Sequence, residues 1–270
     1  MTEVEAYIAQ FSGKTISVAV HDLETEKTIY SNADEPFHPA SVIKVPVMME
    51  VFRRIEAKIY APDERLPLLN SFTSIADGSP FSLDPKDDSE TTMYARIGET
   101  ETVRQLTRLM IVRSSNLATN ILIEALGTKQ INAFLLELGI QGVNVVRGVE
   151  DNVAYYMGMN NSATARGMTQ IMKLIAEGKV VSKEASNEMI RILLGQEFND
   201  GIPAQLSKRV KVAHKTGWAG NHHHDAGIVF PEQRKPYAIT VMTRGFPKES
   251  ENEAHACMAT LSKLIYEEIV

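Results

Sequence analysis

Strand-forming segments lie at both ends of this 270-residue chain, and helical periodicity fills the space between them. Thr15–Val20 alternates β-branched and small residues, and Thr28-Ile29-Tyr30 returns across the polar turn Glu24–Lys27. Near the other end Val210, Val212, His214 and Thr216 alternate, and Ala226–Phe230 and Tyr237–Thr243 follow as further strands. Strands so far apart in sequence most simply share one sheet. The expected class is therefore α/β (α+β): an antiparallel five-stranded sheet built from both chain ends and flanked by helices, plus an all-helical lobe from the middle of the chain. The expected organisation is one domain of two lobes over 1–270. Its mixed α/β lobe spans 1–60 and 208–270, and its all-α lobe spans 61–207.

Apolar spacing marks the helices. Val4, Ile8 and Phe11 predict one over 2–11, ended by Gly13. From Ser41 onward Ile43, Val47, Met48, Val51 and Ile55 predict a helix so apolar that it belongs in the interior. Residues 60–100 are rich in Pro, Asp, Ser and Gly and read as loops. Further helices are expected over Val103–Met110, Asn120–Leu126, Thr128–Leu138 and Ala165–Glu177, behind the Ser182 cap, and over Glu251–Ile269.

Three short motifs carry the chemistry. Ser41-Val42-Ile43-Lys44 opens the interior helix, where a spacing of three sets both side chains on one face, one turn apart. The first turn of a helix has unpaired N–H groups and a positive dipole end, which favour charge developing on an attacked carbonyl oxygen. Desolvation lowers a lysine pKa, so Lys44 becomes a base near neutral pH. Ser114-Ser115-Asn116 follows at a break between helical patterns, and Lys215-Thr216-Gly217 sits on a strand. Glycine there lets a substrate lie against the backbone.

In this order the three motifs resemble those of the serine β-lactamase and penicillin-binding protein superfamily, and class A most of all. Pro39-Ala40-Ser41, Ser115–Asn120, Arg147-Gly148-Val149-Glu150-Asp151, Asn161–Arg166 and His214–Gly217 also fall in family order. The resemblance implies the β-lactamase/transpeptidase-like fold and cleavage of a β-lactam amide through an acyl-enzyme on Ser41. It implies that Lys44 helps take the Ser41 proton and that Ser114 relays a proton to the leaving nitrogen. Asn116 would hold the substrate's amide side chain, and Lys215 and Thr216 its carboxylate. Lys215 would also set the field around Ser114. The N–H groups of Ser41 and Trp218 would form the oxyanion hole beside Gly217. Asn120 would brace a loop.

Two departures matter. The middle residue of the second motif is Ser115 where the family usually has aspartate. The E-x-x-L-N pattern around the family's deacylating glutamate is absent, and Glu150 is the residue assigned that role. The competing reading pairs Glu150 with Arg147 or another cation. The alternatives in function are an esterase of the same fold, a slowly deacylating β-lactam-binding protein, and a peptidase acting on peptidoglycan.

The remaining features exclude more than they suggest. A net charge of −6 argues against a nucleic-acid partner. No apolar run is long enough to cross a membrane. The expected partner is a small molecule, a β-lactam or an ester, bound by a monomer with no cofactor and no metal. His222-His223-His224-Asp225 is read as a solvated turn between strands, and the lone Cys257 as a buried inert thiol. Trp218 and Tyr94 are candidates to line a substrate site or to pack. No secretory leader is visible after Met1, so a cytoplasmic protein is expected if Met1 is the true start, and a secreted or periplasmic one if a leader was removed.

Overall fold

The computed structural model describes residues 2–61 and 63–270. Along the chain come helix α1 (Glu3–Ile8), strands β1 (Thr15–Asp22) and β2 (Thr28–Ser31), and a 3-10 turn over Ala40–Ile43 that runs into α2 (Lys44–Glu56). Helices α3 (Val103–Val112), α4 (Asn116–Leu126), α5 (Thr128–Glu137), α6 (Asn152–Tyr156), α7 (Ala165–Ala176) and α8 (Lys183–Leu193) follow. Strands β3 (Lys211–Ala219), β4 (His222–Phe230) and β5 (Tyr237–Arg244) then lead to α9 (Glu251–Ile269).

The chain forms two compact units. The first comprises Met1–Val42, Ile140–Val143 and Ser162–Val270, and the second Ile43–Gly139 and Asn144–Asn161. These limits differ from the expected lobes. Residues 43–60 join the helical unit because α2 packs on α3, α4 and α5. Residues 162–207 join the sheet unit, where α7 lies against β1, β4 and β5.

The sheet unit holds the expected five-stranded antiparallel sheet, in the order β2-β1-β5-β4-β3. Its register pairs Val18 with Val241, Asp225 with Val241 and Ala226 with Lys215. Helices cover both faces, so the central strands are buried along nearly their whole length rather than alternately. Ile16, Val18, Val20, Ile239 and Val241 pack towards Ala254, Cys257, Met258 and Leu261 of α9 and towards Val4 of α1. Burial pushes the Cys257 thiol up to about 12, so it stays protonated at neutral pH.

His222–Asp225 is not a solvated turn. All four residues lie in β4, with His223, His224 and Asp225 buried. Asp225 and His224 have found polar neighbours. His214 Nδ1 lies 2.9 Å from Asp225 Oδ1, and His224 Nε2 donates to His38 O at 2.8 Å. Burial holds the His224 pKa down at about 3, so its ring is neutral.

In the helical unit α2 is buried from Lys44 to Phe52. Its one buried carboxylate, Glu50, is held by Arg53 Nε at 2.6 Å and Arg54 Nε at 3.1 Å. Arg54 also donates to Ala125 O at 3.3 Å and to Leu126 O, which ties α2 to the end of α4. The unit is not purely helical: Arg65–Pro67 pairs with Thr100–Thr102, and Phe72–Thr73 with Pro80–Phe81. Among the described residues no helix is long and apolar enough to cross a membrane.

Candidate active site

The structure brings Lys44, Ser114, Asn116 and Glu150 together inside the helical unit. Lys44 opens α2 and its ammonium is fully buried. It donates to Ser114 O at 2.7 Å, Ser114 Oγ at 3.3 Å and Asn116 Oδ1 at 2.8 Å. Desolvation lowers its pKa to about 7, against the opposing fields of Asp88 and Glu150. The group therefore moves between ammonium and amine near neutral pH.

Asn116 connects this lysine to Glu150. Its Oδ1 accepts from Lys44 while its Nδ2 donates to Glu150 Oε1 at 2.6 Å. Burial raises the Glu150 pKa. The Asn116 hydrogen bond lowers it again, Asp87 and Asp88 raise it, and Lys44 lowers it. The competing partner, Arg147, is engaged elsewhere: its guanidinium donates to Gly148 O at 2.9 Å and Asn160 Oδ1 at 3.0 Å, and lies over the Tyr155 ring.

The loop carrying Glu150 is fixed residue by residue. Asn120 on α4 donates to Val149 O at 2.9 Å and accepts from Val149 N at 2.7 Å. A Cβ on Gly148 would stand 2.6 Å from Asn120 Oδ1, so glycine is required for this approach. After Glu150, Asp151 caps α6 through Ala154 N at 3.0 Å and accepts from Ser74 Oγ at 2.7 Å. Asn120→Ala removes both bonds to Val149 and leaves part-buried backbone groups without that partner, at a cost of about 1–3 kcal/mol. Urea unfolding is expected to show that loss, and stopped-flow kinetics a slower release of any acyl group with little change in its formation.

Asp88 is a member of this cluster that the sequence did not reveal. Its Oδ2 accepts from Asn116 N and Leu117 N, both at 2.9 Å, from Ser115 Oγ at 3.4 Å and from Tyr94 OH at 3.0 Å. A buried carboxylate thus sits on the N-terminus of α4, where the dipole favours it. Ser115 Oγ itself caps the helix through Ala118 N at 3.1 Å. Where the motif has serine for aspartate, a distant loop supplies the carboxylate. The two N-terminal supports also start α4 at Asn116 rather than at Asn120. Tyr94, through its bond to Asp88, is packed as part of this support.

Ser41, Lys215, Thr216, Gly217 and Trp218 belong to the sheet unit. Ser41 lies in the 3-10 turn ahead of α2, not in its first α-helical turn. Its approach is pinned: Phe37 exchanges two backbone bonds with Ala163, and Ala40 N donates to His38 Nδ1 at 3.2 Å. Strand β3 passes close by, and a Cβ on Gly217 would stand 2.9 Å from Ser41 N and 3.1 Å from Val42 N. The Ser41 amide and the β3 backbone thus lie side by side. Lys215 is buried and donates to Thr216 O at 2.7 Å, Thr216 is half-buried, and Trp218 is 50% exposed. Gly217→Ala forces the backbone apart and is expected to cost about 1–3 kcal/mol in urea unfolding, together with slower acylation.

Ala40, Ser114 and Glu150 all adopt positive φ, at 47°, 57° and 61°. Such geometry costs about 1–3 kcal/mol per residue and persists where the surroundings impose it, characteristically at working sites. Here it falls immediately before Ser41, on the hydroxyl facing Lys44, and on the carboxylate facing Asn116.

A five-stranded sheet drawn from both chain ends, flanked by helices and carrying these three motifs, is the fold of the β-lactamase type of serine hydrolase. The chain belongs to the β-lactamase enzyme family, whose model matches residues 1–269, and within it is similar to class A. A β-lactamase of Streptomyces albus G is 25% identical over 253 residues, spanning 88% of this chain and 75% of that protein. The ROB-1 β-lactamase of Haemophilus influenzae is 27% identical over 241 residues, spanning 87% of this chain and 74% of its own. Among solved structures, PBP-A superposes with a TM-score of 0.85 at 21% identity, over 98% of this chain and 94% of its own. The class A β-lactamase of Mycobacterium abscessus gives 0.83 at 19% identity, over 98% and 97%. A PBP-A mutant held as an acyl-enzyme with penicillin G gives 0.84 at 22% identity, over 98% and 94%.

Proposed function

We propose that this protein hydrolyses the β-lactam amide through an acyl-enzyme on Ser41. The observation that carries the reading is Lys44: a fully buried amine with its pKa lowered to about 7, bonded to Ser114 and Asn116, three residues after Ser41 in one continuous helical segment. Ser41 Oγ attacks the lactam carbonyl as its proton passes to neutral Lys44. The Ser41 amide and the β3 backbone receive the oxyanion. Ser114, bonded to Lys44, returns the proton to the lactam nitrogen as the C–N bond breaks. Lys215 and Thr216 hold the substrate carboxylate, and Asn116 its amide side chain. Glu150 then takes a proton from the water that attacks the Ser41 ester, and that proton passes to Ser41 Oγ as the ester C–O bond breaks.

Intact-mass spectrometry over time, with penicillin G and separately with an activated acyl ester, tests the reading. An adduct that maps to Ser41 and disappears at the rate of penicillin hydrolysis is expected. Absence of any adduct with either compound overturns the proposal. An adduct formed only with the ester identifies an esterase of the same fold. A penicillin adduct that persists identifies a slowly deacylating β-lactam-binding protein. The absent E-x-x-L-N pattern around Glu150 is what keeps this second reading in play.

A further inference from the structure

His223 on β4 has an arrangement that its own strand does not explain. Its Nε2 lies 3.1 Å from Phe246 O. A carbonyl oxygen only accepts, so Nε2 carries the ring proton and Nδ1 presents a bare lone pair. That Nδ1 is buried and has no hydrogen-bond partner among the described residues. Burial lowers the His223 pKa and keeps the ring neutral. An unpaired buried acceptor is costly, and buried acceptors without partners are few in native structures.

Two further donors stand beside it. Glu251 and His255 are one turn apart on α9, with His255 Nε2 3.9 Å from Glu251 Oε1. The His255 ring meets the His223 ring edge-on at 5.7 Å between centroids. One ligand atom from each of His223, Glu251 and His255 lies within 4.8 Å of the others. Tetrahedral zinc, with bonds of about 2.0–2.2 Å, needs its ligand atoms about 3.3 Å apart. Glu251 and His255 are both partly exposed, so their side chains are free to turn inwards by that difference.

We propose that His223 Nδ1, Glu251 and His255 form a site for a divalent transition-metal ion, zinc by the chemistry of the set. Two imidazoles and a carboxylate leave the fourth position to water, on the exposed side. The Nε2–H bond to Phe246 O is the support that orients a metal-bound imidazole and fixes its tautomer. The ion fastens the first turn of α9 to β4. By strand alternation His223 lies on the sheet face of Val241 and Tyr237, the face packed towards α9, and opposite Lys215 and Gly217. The histidine run contributes one ligand rather than three, because His222 and His224 point to the other face.

Untagged protein, stripped with a chelator and titrated with zinc chloride by calorimetry, provides the test. One ion per chain is expected, with a rise in the thermal midpoint as zinc is added. His255→Ala and Glu251→Gln alter partly exposed side chains and leave the fold intact. Each is expected to weaken binding by about tenfold or more, the loss that removing even a ligand's supporting partner causes. Acylation of Ser41 by penicillin G is expected to be the same in both variants as in the parent. No binding heat and no midpoint shift in excess zinc overturns the proposal, as does equal affinity in parent and variants.

Discussion

Lys44→Ala is expected to slow acylation by roughly 10²–10⁴-fold, the usual contribution of a positioned acid–base group. The loss follows from where the amine sits. It contacts both the Ser114 hydroxyl and the Asn116 carbonyl, and it is one helical turn beyond Ser41. Its burial brings its pKa to about 7, so in the parent protein acylation rises with pH through that value as the ammonium becomes amine. The variant is expected to lose this limb along with the rate. Burst kinetics with a chromogenic cephalosporin across pH measures both, and an unchanged pH limb in the variant assigns the base elsewhere.

The same group shapes stability. The unfolded chain keeps the lysine proton up to about 10.5, whereas the folded chain releases it near 7. Between those values the unfolded state binds more protons, so this residue makes stability rise with pH across the window. Relative to Lys44→Met, the parent's urea midpoint is expected to increase between about pH 7 and about pH 9.

What the residues disclosed, and what they hid, divides along physical lines. The sheet was legible because β1 and β5 are rich in the β-branched residues that favour strands. The C-terminal helix was legible over its whole length, Glu251–Ile269, from its apolar spacing. His222–Asp225 misled because polar residues are ordinarily outside. Here His214 and His38 supply partners from other segments, and no local pattern announces them. The start of α4 was hidden for the same reason, since half of its capping comes from Asp88 in a loop that has no periodicity. The His223, Glu251 and His255 cluster joins a strand to a helix well beyond it in the chain. The i, i+4 pair Glu251 and His255 alone does not mark a site, and the third member comes from another element.

Glu150→Gln is expected to leave acylation near the parent rate and to slow deacylation by roughly 10²–10⁴-fold, so that the acyl-enzyme accumulates. The amide preserves size and keeps a carbonyl oxygen for the 2.6 Å bond from Asn116 Nδ2, so the Lys44–Asn116 half of the site should stay in place. What it removes is a carboxylate able to take a proton from water. The surroundings suit a general base. Burial and the neighbouring Asp87 and Asp88 raise the Glu150 pKa, which makes it a stronger base than a solvated carboxylate, while Asn116 and Lys44 keep the ionised form accessible. Deacylation in the parent should accordingly fall as pH drops and Glu150 takes up a proton, and acylation should fall as Lys44 takes one up near 7. A deacylation limb that the variant loses while it keeps the acylation limb is a signature that a merely structural Glu150 would not produce. Pre-steady-state mass spectrometry of the variant decides it: a Ser41 adduct that forms normally and lingers assigns the base to Glu150. Release at the parent rate shows instead that the positive-φ turn and its Asn116 contact serve only to shape the loop.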